Sequence, residues 1–277
     1  MDDKVSSMFS LDFGAIEERT EDFLEHFEPE NKLKDNFYNN LSQKDPEEGL
    51  FYLLLKTHFD CSKSARDFFE VLKWNDLKKG NMIDLDLICA KFFKKPRKIG
   101  DHRKWLRPGE KRIPSTIEML ESYREVVLES GSQSQFFEID RKPDFRKIYY
   151  KMKNIKTFKK RLPRWDHIER LSRTHNFYVI PERFYTEEHL YGGPWDGLTL
   201  LFFDEEYREM SRSRKDAFRK YLKEDFPKQW NEQVEDEYKI MPRELKNWKD
   251  VIRFLEKWAI DRIEELLPAD KHTPAYV

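Results

Sequence analysis

The chain has 277 residues, enough to bury a sizeable core in one large domain or two smaller ones. Apolar residues make up 38% and charged residues another 38%, and 52 basic against 53 acidic side chains leave a net charge of −1. Aromatic residues reach 15%, too many for a disordered chain. Without a long apolar run or a basic segment followed by an apolar one, we expect no membrane span, no signal peptide and a cytoplasmic protein.

Cysteine and histidine spacing gives little support for a metal site. Cys61, Cys89 and His58 offer at most three soft ligands, and the spacings CxxC and HxxxH do not occur. The motif GxxxxGK[ST] of nucleotide-binding loops and the catalytic motifs GxSxG and HExxH do not occur either. We therefore predict no metal and no cofactor.

Charge is distributed very unevenly along the chain. Residues 1–30 hold ten acidic and two basic side chains, whereas residues 91–173 hold 24 basic and 11 acidic ones. The segment 141–173 alone has 13 bases and three acids, interleaved with aromatic residues. Cations beside flat rings suit a phosphate backbone and exposed bases, so a nucleic acid is the first partner to test. A solvated helix face neutralised by the acidic residues remains the alternative.

Apolar spacing predicts helices from the start of the chain. Phe23, Leu24 and Phe27 have helical spacing, and the most apolar stretch, 49–59, predicts a buried helix. Ser62 is a candidate N-cap for the helix that follows. We divide the chain into an acidic arm with a first helix over 1–40 and one helical domain over 41–277, with a split into two lobes near 94–114 left open.

The middle of the chain continues as helices around one long loop. Residues 82–93 have helical spacing, although their alternation leaves a strand open. The basic stretch 94–114, with three prolines and two glycines, predicts a loop. Ser115 and Glu118 form a capping box for the next helix, which ends at Gly131.

Residues 145–161 predict a surface helix with its cations outward, ended by Pro163. The next helix begins at Trp165 and ends near Asn176. Further helices are predicted at the positions 198–203, 205–222 and 243–267. The predicted fold class is therefore all-α.

A glycine-rich turn, GGPxxG, follows the basic segment. Glycines tolerate positive φ and leave backbone N–H groups exposed before a helix, where the helix dipole favours a phosphate. An ordinary tight loop remains the alternative. The glycines of this turn are Gly192, Gly193 and Gly197.

The order of these elements resembles the helix-hairpin-helix DNA glycosylase superfamily. Within it, the chain is similar to a glycosylase-like family of phage thymine-hypermodification enzymes, the amino acid:DNA transferases and the α-glutamyl/putrescinyl thymine pyrophosphorylases. The residues that carry this similarity are the string 165–171, Pro181, Phe184, Tyr185, Gly193, Pro194 and Gly197. The resemblance implies replacement of the pyrophosphate on activated 5-hydroxymethyluracil in DNA by an amino acid or amine. We expect the enzyme to be a monomer and, if it is encoded by a phage, to act in the host cytoplasm.

Site residues follow from this chemistry and from the charge pattern. Candidates for accepting the proton of the incoming amine are Asp196, Asp204, His167 and Glu169. Candidates for lining the pocket of the flipped base are Gln133, Gln135, Trp165 and Tyr185. Candidates for binding DNA or pyrophosphate are the three turn glycines with Lys156, Lys159, Lys160, Arg161, Arg164, Arg170 and Arg173.

The sequence leaves other functions open. A glycosylase-like enzyme that cleaves or binds modified DNA is one, and a non-catalytic nucleic-acid-binding helical protein is another. Arg170 and His175 also match the R-x4-H spacing of helical ribonucleases of the HEPN type, a spacing that is common by chance.

Overall fold

The computed structural model describes residues 35–80, 83–100, 103–139 and 143–172, then 181, 195, 198–199, 202–203, 205, 207–226 and 228. The chain separates into two compact units, Asn31–Val179 and Met1–Glu30 with Ile180–Val277, and each is taken on its own below. Every regular element in the described ranges is helical, which confirms the all-α prediction. The domain bounds expected from the sequence and the helix-hairpin-helix detail stay predictions. Within these ranges no helix is long and apolar enough to cross a bilayer.

The first unit contains nine α-helices in its described part, joined in places by short 3-10 turns. The helices are α1 (Asn36–Lys44), α2 (Pro46–Phe59), α3 (Ser62–Phe69), α4 (Trp74–Leu77), α5 (Leu85–Phe93), α6 (Arg112–Ser130), α7 (Gln133–Phe136), α8 (Phe145–Lys151) and α9 (Arg161–Ser172). The 3-10 turns are Lys104–Leu106, Met152–Asn154 and Lys156–Phe158.

Helix α2 lies at the centre of this unit. It contacts α1, α3, α4, α7 and α9, and its residues from 48 to 55 are all buried, as the apolar sequence predicts. Phe51 packs against the rings of Phe69, Trp74 and Tyr123 at centroid distances of 6.0 to 6.4 Å. Burial of large aromatic side chains from several helices against one central helix supplies the main stabilisation of this unit.

Two acidic residues at the start of α2 join it to other helices. Glu47 accepts the backbone N–H groups of Gln133 and Ser134, both at 2.9 Å, at the start of α7. Glu48 accepts those of Trp74 and Asn75 at 2.7 and 2.8 Å, at the start of α4. Each carboxylate therefore satisfies N–H groups that a helix start leaves without an intrahelical partner.

The start of α6 differs from the sequence prediction. The helix begins at Arg112, and the N–H of Ser115 already bonds the carbonyl of Lys111 at 2.9 Å, so the capping box predicted at Ser115 is wrong. Pro114 fits because a proline in the first turn removes no intrahelical bond. Gly131 ends the helix as predicted, with φ of 94°.

The prediction of one basic helix over 145–161 is also wrong. Helix α8 ends at Lys151, two 3-10 turns follow, and α9 has already begun at Arg161, so Pro163 lies in a first turn instead of ending a helix. The 3-10 turns bury Met152, Ile155 and Phe158. Because a 3-10 turn is wound more tightly than an α-helix, it gives these apolar residues other directions than a continuous α-helix would, and here they are buried.

Two smaller predictions are settled by the same unit. Residues 85–93 form a helix, which excludes the strand alternative for the stretch 82–93. Helix α3 has Cys61 at its N-cap position, one residue before Ser62, and Cys61 makes no side-chain capping bond.

The described part of the second unit contains one long helix, α10 (Arg212–Glu224), after a 3-10 turn at Tyr207–Glu209. The Ser211 hydroxyl accepts the N–H of Arg214 and caps α10, so the single helix predicted over 205–222 is interrupted there. Trp195 stacks on Tyr207 with centroids 4.9 Å apart, and Phe218 packs against both rings. The helices predicted near Phe23 and over 243–267 lie outside the described residues.

Candidate active site at the end of helix α2

The basic loop after α5 and the basic turns before α9 meet at the C-terminal end of α2. Arg103, in the loop, donates from Nε to the carbonyl of Thr57 at 2.9 Å. The imidazole of His58 lies between Thr116 of α6, 3.2 Å from Nε2, and Thr157 of the turns, 3.4 Å from Nδ1. Two segments that are distant in sequence and rich in cations therefore share one anchoring point.

A cluster of two arginines and two aspartates lies at this helix end. The fully buried Arg103 donates from Nη2 to Oδ2 of Asp166 at 2.5 Å, and the same nitrogen is 3.9 Å from Oδ1 of Asp60. Arg170 of α9 donates to Oδ1 of Asp60 at 2.8 Å. The aspartate side chains keep 23% (Asp60) and 21% (Asp166) of their surface exposed, so both are partly open to solvent.

The local backbone explains why the cluster forms here. Asp60 ends α2 in the left-handed conformation, with φ of 50°, and its N–H bonds the carbonyl of Lys56. Gly100 lies directly against it, since a Cβ at that position would be 2.4 Å from the Cβ of Asp60. The N–H of Gly100 bonds the carbonyl of Phe59, and the N–H of Arg103 bonds Gly100, both at 3.0 Å. Only glycine allows the loop to close on the helix end this tightly.

His167, a predicted catalytic residue, is fully buried beside this cluster. The Thr57 hydroxyl donates to the carbonyl of Leu53 at 3.0 Å, so it accepts from Nδ1 of His167, also at 3.0 Å. That assignment gives the imidazole an Nδ1–H tautomer with a lone pair on Nε2, an atom without a hydrogen-bond partner among the described residues. Burial, with the nearby charge of Arg170, lowers the pKa of His167 to about 3, so the ring is neutral at pH 7.

Two further buried donors in the basic loop are unpartnered. Within the part of the chain that the structure describes, Nη1 of Arg103 and Nε1 of Trp105 have no hydrogen-bond acceptor. The guanidinium carbon of Arg103 lies 5.8 Å from the centroid of the Trp105 ring, so the two side chains that carry these donors are neighbours. Buried donors without acceptors are costly, and such groups in a folded protein call for an explanation.

The predicted phosphate-binding cations fall into two groups. Lys156, Lys159 and Lys160 are exposed. Arg161 and Arg164 are buried, against the predicted outward orientation of this segment. Arg161 lies over the ring of Trp165 at 4.9 Å, and Arg164 lies over Tyr149 at 3.9 Å, because an aromatic face stabilises a buried guanidinium.

The predicted base-pocket residues differ in their burial and in their contacts. Gln133 is fully buried, accepts from the Tyr123 hydroxyl and donates to the carbonyl of Glu47 at 2.6 Å. Gln135 is exposed. Trp165 is buried with its ring 5.1 Å from that of Phe145. The contacts of Gln133 and Trp165 are those of packing residues, and a role of the three side chains in holding a flipped base stays a prediction.

Two of the remaining predicted residues lie in the described part of the chain. Arg170 binds Asp60, as given above, and Glu169 is half-buried on the same helix. The others lie outside the described residues: Gly192, Gly193, Gly197, Asp196, Asp204, Arg173 and Tyr185. Across the described ranges, no three His, Cys, Asp or Glu side chains come together as a metal site requires.

The sequence prediction missed Asp60, Arg103 and Asp166. Asp60 directly follows the most apolar helix, and Asp166 belongs to the string that carried the family resemblance. Arg103 has no distinguishing local pattern within its basic loop, because its partners Thr57 and Asp166 are 46 and 63 residues away. Only the closure of the loop on α2 reveals it.

Comparison with known protein families identifies the family of the chain. The family model for amino acid:DNA transferases matches residues 26–251, a span that includes α1 to α10. The chain belongs to the amino acid:DNA transferase family. It is a DNA-modifying transferase, with DNA and an amino acid as the partners that the family name gives, and the resemblance to the amino acid:DNA transferases is confirmed. No curated protein and no solved structure matches the chain significantly.

Proposed function

We propose that this transferase attaches an amino acid to pyrophosphate-activated 5-hydroxymethyluracil in DNA, as a thymine-hypermodifying enzyme of phage origin, and that the end of α2 belongs to its active site. The observation that supports this most strongly is the partly exposed pair Asp60 and Asp166, held by two arginines and flanked by two cationic segments. The family match supplies the two substrate classes, DNA and amino acid.

The reaction is a substitution at the exocyclic methylene carbon of the base. The amino acid nitrogen forms a bond to that carbon, while the bond from the carbon to the pyrophosphate oxygen breaks and its electron pair leaves with the pyrophosphate. One proton of the ammonium passes to a carboxylate and then to water. The enzyme must therefore bring an amine, a proton acceptor and a binding group for the leaving anion together.

The exposed cations of the two segments suit the DNA backbone. Lys156, Lys159 and Lys160 follow α8, and Lys104 and Arg107 are exposed in the loop of Arg103. Each phosphate contact releases counterions and so contributes affinity that falls with salt. From the sequence, the turn of Gly192, Gly193 and Gly197, with Arg173, stays the candidate for binding a phosphate of the activated base, and Tyr185 stays the candidate for lining the pocket of the flipped base.

Proton transfer falls to a carboxylate, with Asp166 as the best-placed one in the described part and Asp196, Asp204 and Glu169 as the sequence-based candidates. His167 has a different role in this proposal. Because burial keeps its pKa near 3, the imidazole stays neutral and keeps a lone pair on Nε2, which in this proposal accepts a hydrogen bond from a substrate.

The test uses DNA that contains 5-hydroxymethyluracil, activated enzymatically to the pyrophosphate form. The full chain is incubated with this DNA and each standard amino acid, and the nucleosides are analysed by mass spectrometry. We expect a nucleoside that carries the amino acid through a carbon–nitrogen bond, and none from unactivated DNA. Unchanged nucleosides across the panel would contradict the proposal; abasic sites would indicate a glycosylase, and binding without turnover a non-catalytic protein.

A further inference from the structure

The Arg103 segment also suggests where the amino acid binds. We propose that Nη1 of Arg103 and Nε1 of Trp105 bind its carboxylate, and that Asp166 binds its ammonium group. This inference rests on the proposed transfer, since it assigns a subsite to the second substrate of that reaction.

The carboxylate end of this subsite consists of the two unpartnered donors. Arg103 is fully buried, with Nε committed to Thr57 and Nη2 to Asp166, so that Nη1 is the donor left over. Trp105 Nε1 is likewise buried without an acceptor among the described residues. An oxygen anion that accepts from both removes the cost of leaving them unpaired, and a guanidinium donor makes the stronger, charge-assisted bond.

The ammonium end is the carboxylate of Asp166. Its Oδ2 accepts from Arg103, and in the described part of the chain no hydrogen bond is made by its Oδ1. Because one carbon separates the ammonium from the carboxylate of an α-amino acid, the two recognition groups must lie close together. Arg103 meets this requirement, since one guanidinium holds Asp166 with one nitrogen and presents the next nitrogen to the ligand.

The charge balance favours a zwitterion over a phosphate. Two arginines, Arg103 and Arg170, are matched by two aspartates, Asp60 and Asp166, with nitrogen–oxygen distances between 2.5 and 3.9 Å. A pyrophosphate placed here would lie beside two partly exposed carboxylates that repel it. An α-amino acid, with one charge of each sign, is complementary to both halves of the cluster.

The first experiment is a titration of the full chain with each standard amino acid, without DNA, followed through the indole N–H signals in ¹⁵N-correlated NMR spectra. Trp105→Phe assigns the Trp105 signal. We expect one or more amino acids to shift that signal and to saturate it, whereas the methyl ester and the N-acetyl derivative of the same amino acid bind at least about tenfold more weakly. An unmoved Trp105 signal across the panel would overturn the inference.

Variants test the assignment of each end. Asp166→Asn and Trp105→Phe should each raise the dissociation constant of the amino acid about tenfold or more, with the fold checked by circular dichroism. Lys44→Gln, at an exposed position of α1 outside the cluster, should leave it unchanged. Unchanged binding in both folded variants, or pyrophosphate displacing the amino acid from the Trp105 signal, would contradict the subsite.

The two proposals fail in distinguishable ways. If amino acids bind as expected but no nucleoside product forms, the subsite stands and the activated base is wrong. If transfer occurs while the two folded variants retain wild-type amino acid affinity, the function stands and the subsite lies elsewhere.

Discussion

The two ends of helix α2 use acidic residues in opposite ways. At the N-terminal end, Glu47 and Glu48 accept backbone N–H groups of other helices at distances of 2.7 to 2.9 Å and hold the fold together. At the C-terminal end, Asp60 and Asp166 bind arginine side chains and stay partly exposed, and Nη1 of Arg103 has no hydrogen-bond partner in the described part of the chain. The partners of a carboxylate, more than its burial, therefore separate the structural role of Glu47 and Glu48 from the chemical role that we propose for Asp60 and Asp166.

The largest expected effect separates the two ends through activity. Asp166→Asn should lower kcat/KM for amino acid transfer about 100-fold or more, because an amide cannot take the proton of the amine. Steady-state transfer assays at equal concentrations of folded protein measure this. A loss of less than about threefold would move the proton acceptor away from the end of α2.

The matching change at the other end should affect stability instead. Glu47→Gln should lower the free energy of unfolding by about 2 kcal/mol, because the carboxylate's bonds to two helix-start N–H groups weaken. Urea denaturation measures the loss, with the exposed Glu129→Gln as the control expected near zero. Wild-type stability for Glu47→Gln, or loss of transfer in its folded fraction, would erase the distinction between the ends.

Acid should lower the free energy of unfolding through two buried histidines at the C-terminal end of α2. Burial lowers the pKa of both His58 and His167 to about 3 in the folded chain. In the unfolded chain histidine has its ordinary pKa near 6.5, so below that pH the unfolded chain binds protons that the folded chain does not. The stability is complete above about pH 6.5 and falls as pH decreases toward 3. Between pH 6.5 and 5 the loss is about 2 kcal/mol per histidine.

Urea denaturation at several pH values tests this, with His167→Gln for comparison. The variant should show a shallower fall of stability between pH 6.5 and 5, because one of the two neutral imidazoles is gone. If the stability of the variant fell with pH as steeply as that of the wild type, His167 would be protonated in the folded state.

The smallest expected effect concerns the flanking cations. Replacing Lys156, Lys159 and Lys160 together by glutamine should weaken DNA binding about tenfold at physiological salt and make the salt dependence shallower. Fluorescence anisotropy over a salt series measures both. The same replacement at exposed Lys44, Lys63 and Lys78 serves as the control, and equal losses in the two triple variants would exclude the turns before α9 as the DNA footprint.

Local pattern predicted much of the helical fold but little of the site. The burial of α2 follows from its apolar run 49–59, and the end of α6 follows from Gly131. Charge counting placed cations at 145–161, yet it could not show that Arg161 and Arg164 lie buried over aromatic rings, since that depends on three-dimensional neighbours. The Arg103 cluster joins three segments far apart in sequence, and no local pattern encodes such pairing.

The central claim is that the amino acid meets DNA at the C-terminal end of α2. Photo-crosslinking tests it most directly, with 5-iodouracil at the target position of a DNA duplex bound to the full chain and the linked peptides identified by mass spectrometry. The account predicts links to Trp105 or to residues 156–160. Links confined to the segments around the N-terminal end of α2, residues 70–80 and 133–136, would contradict it.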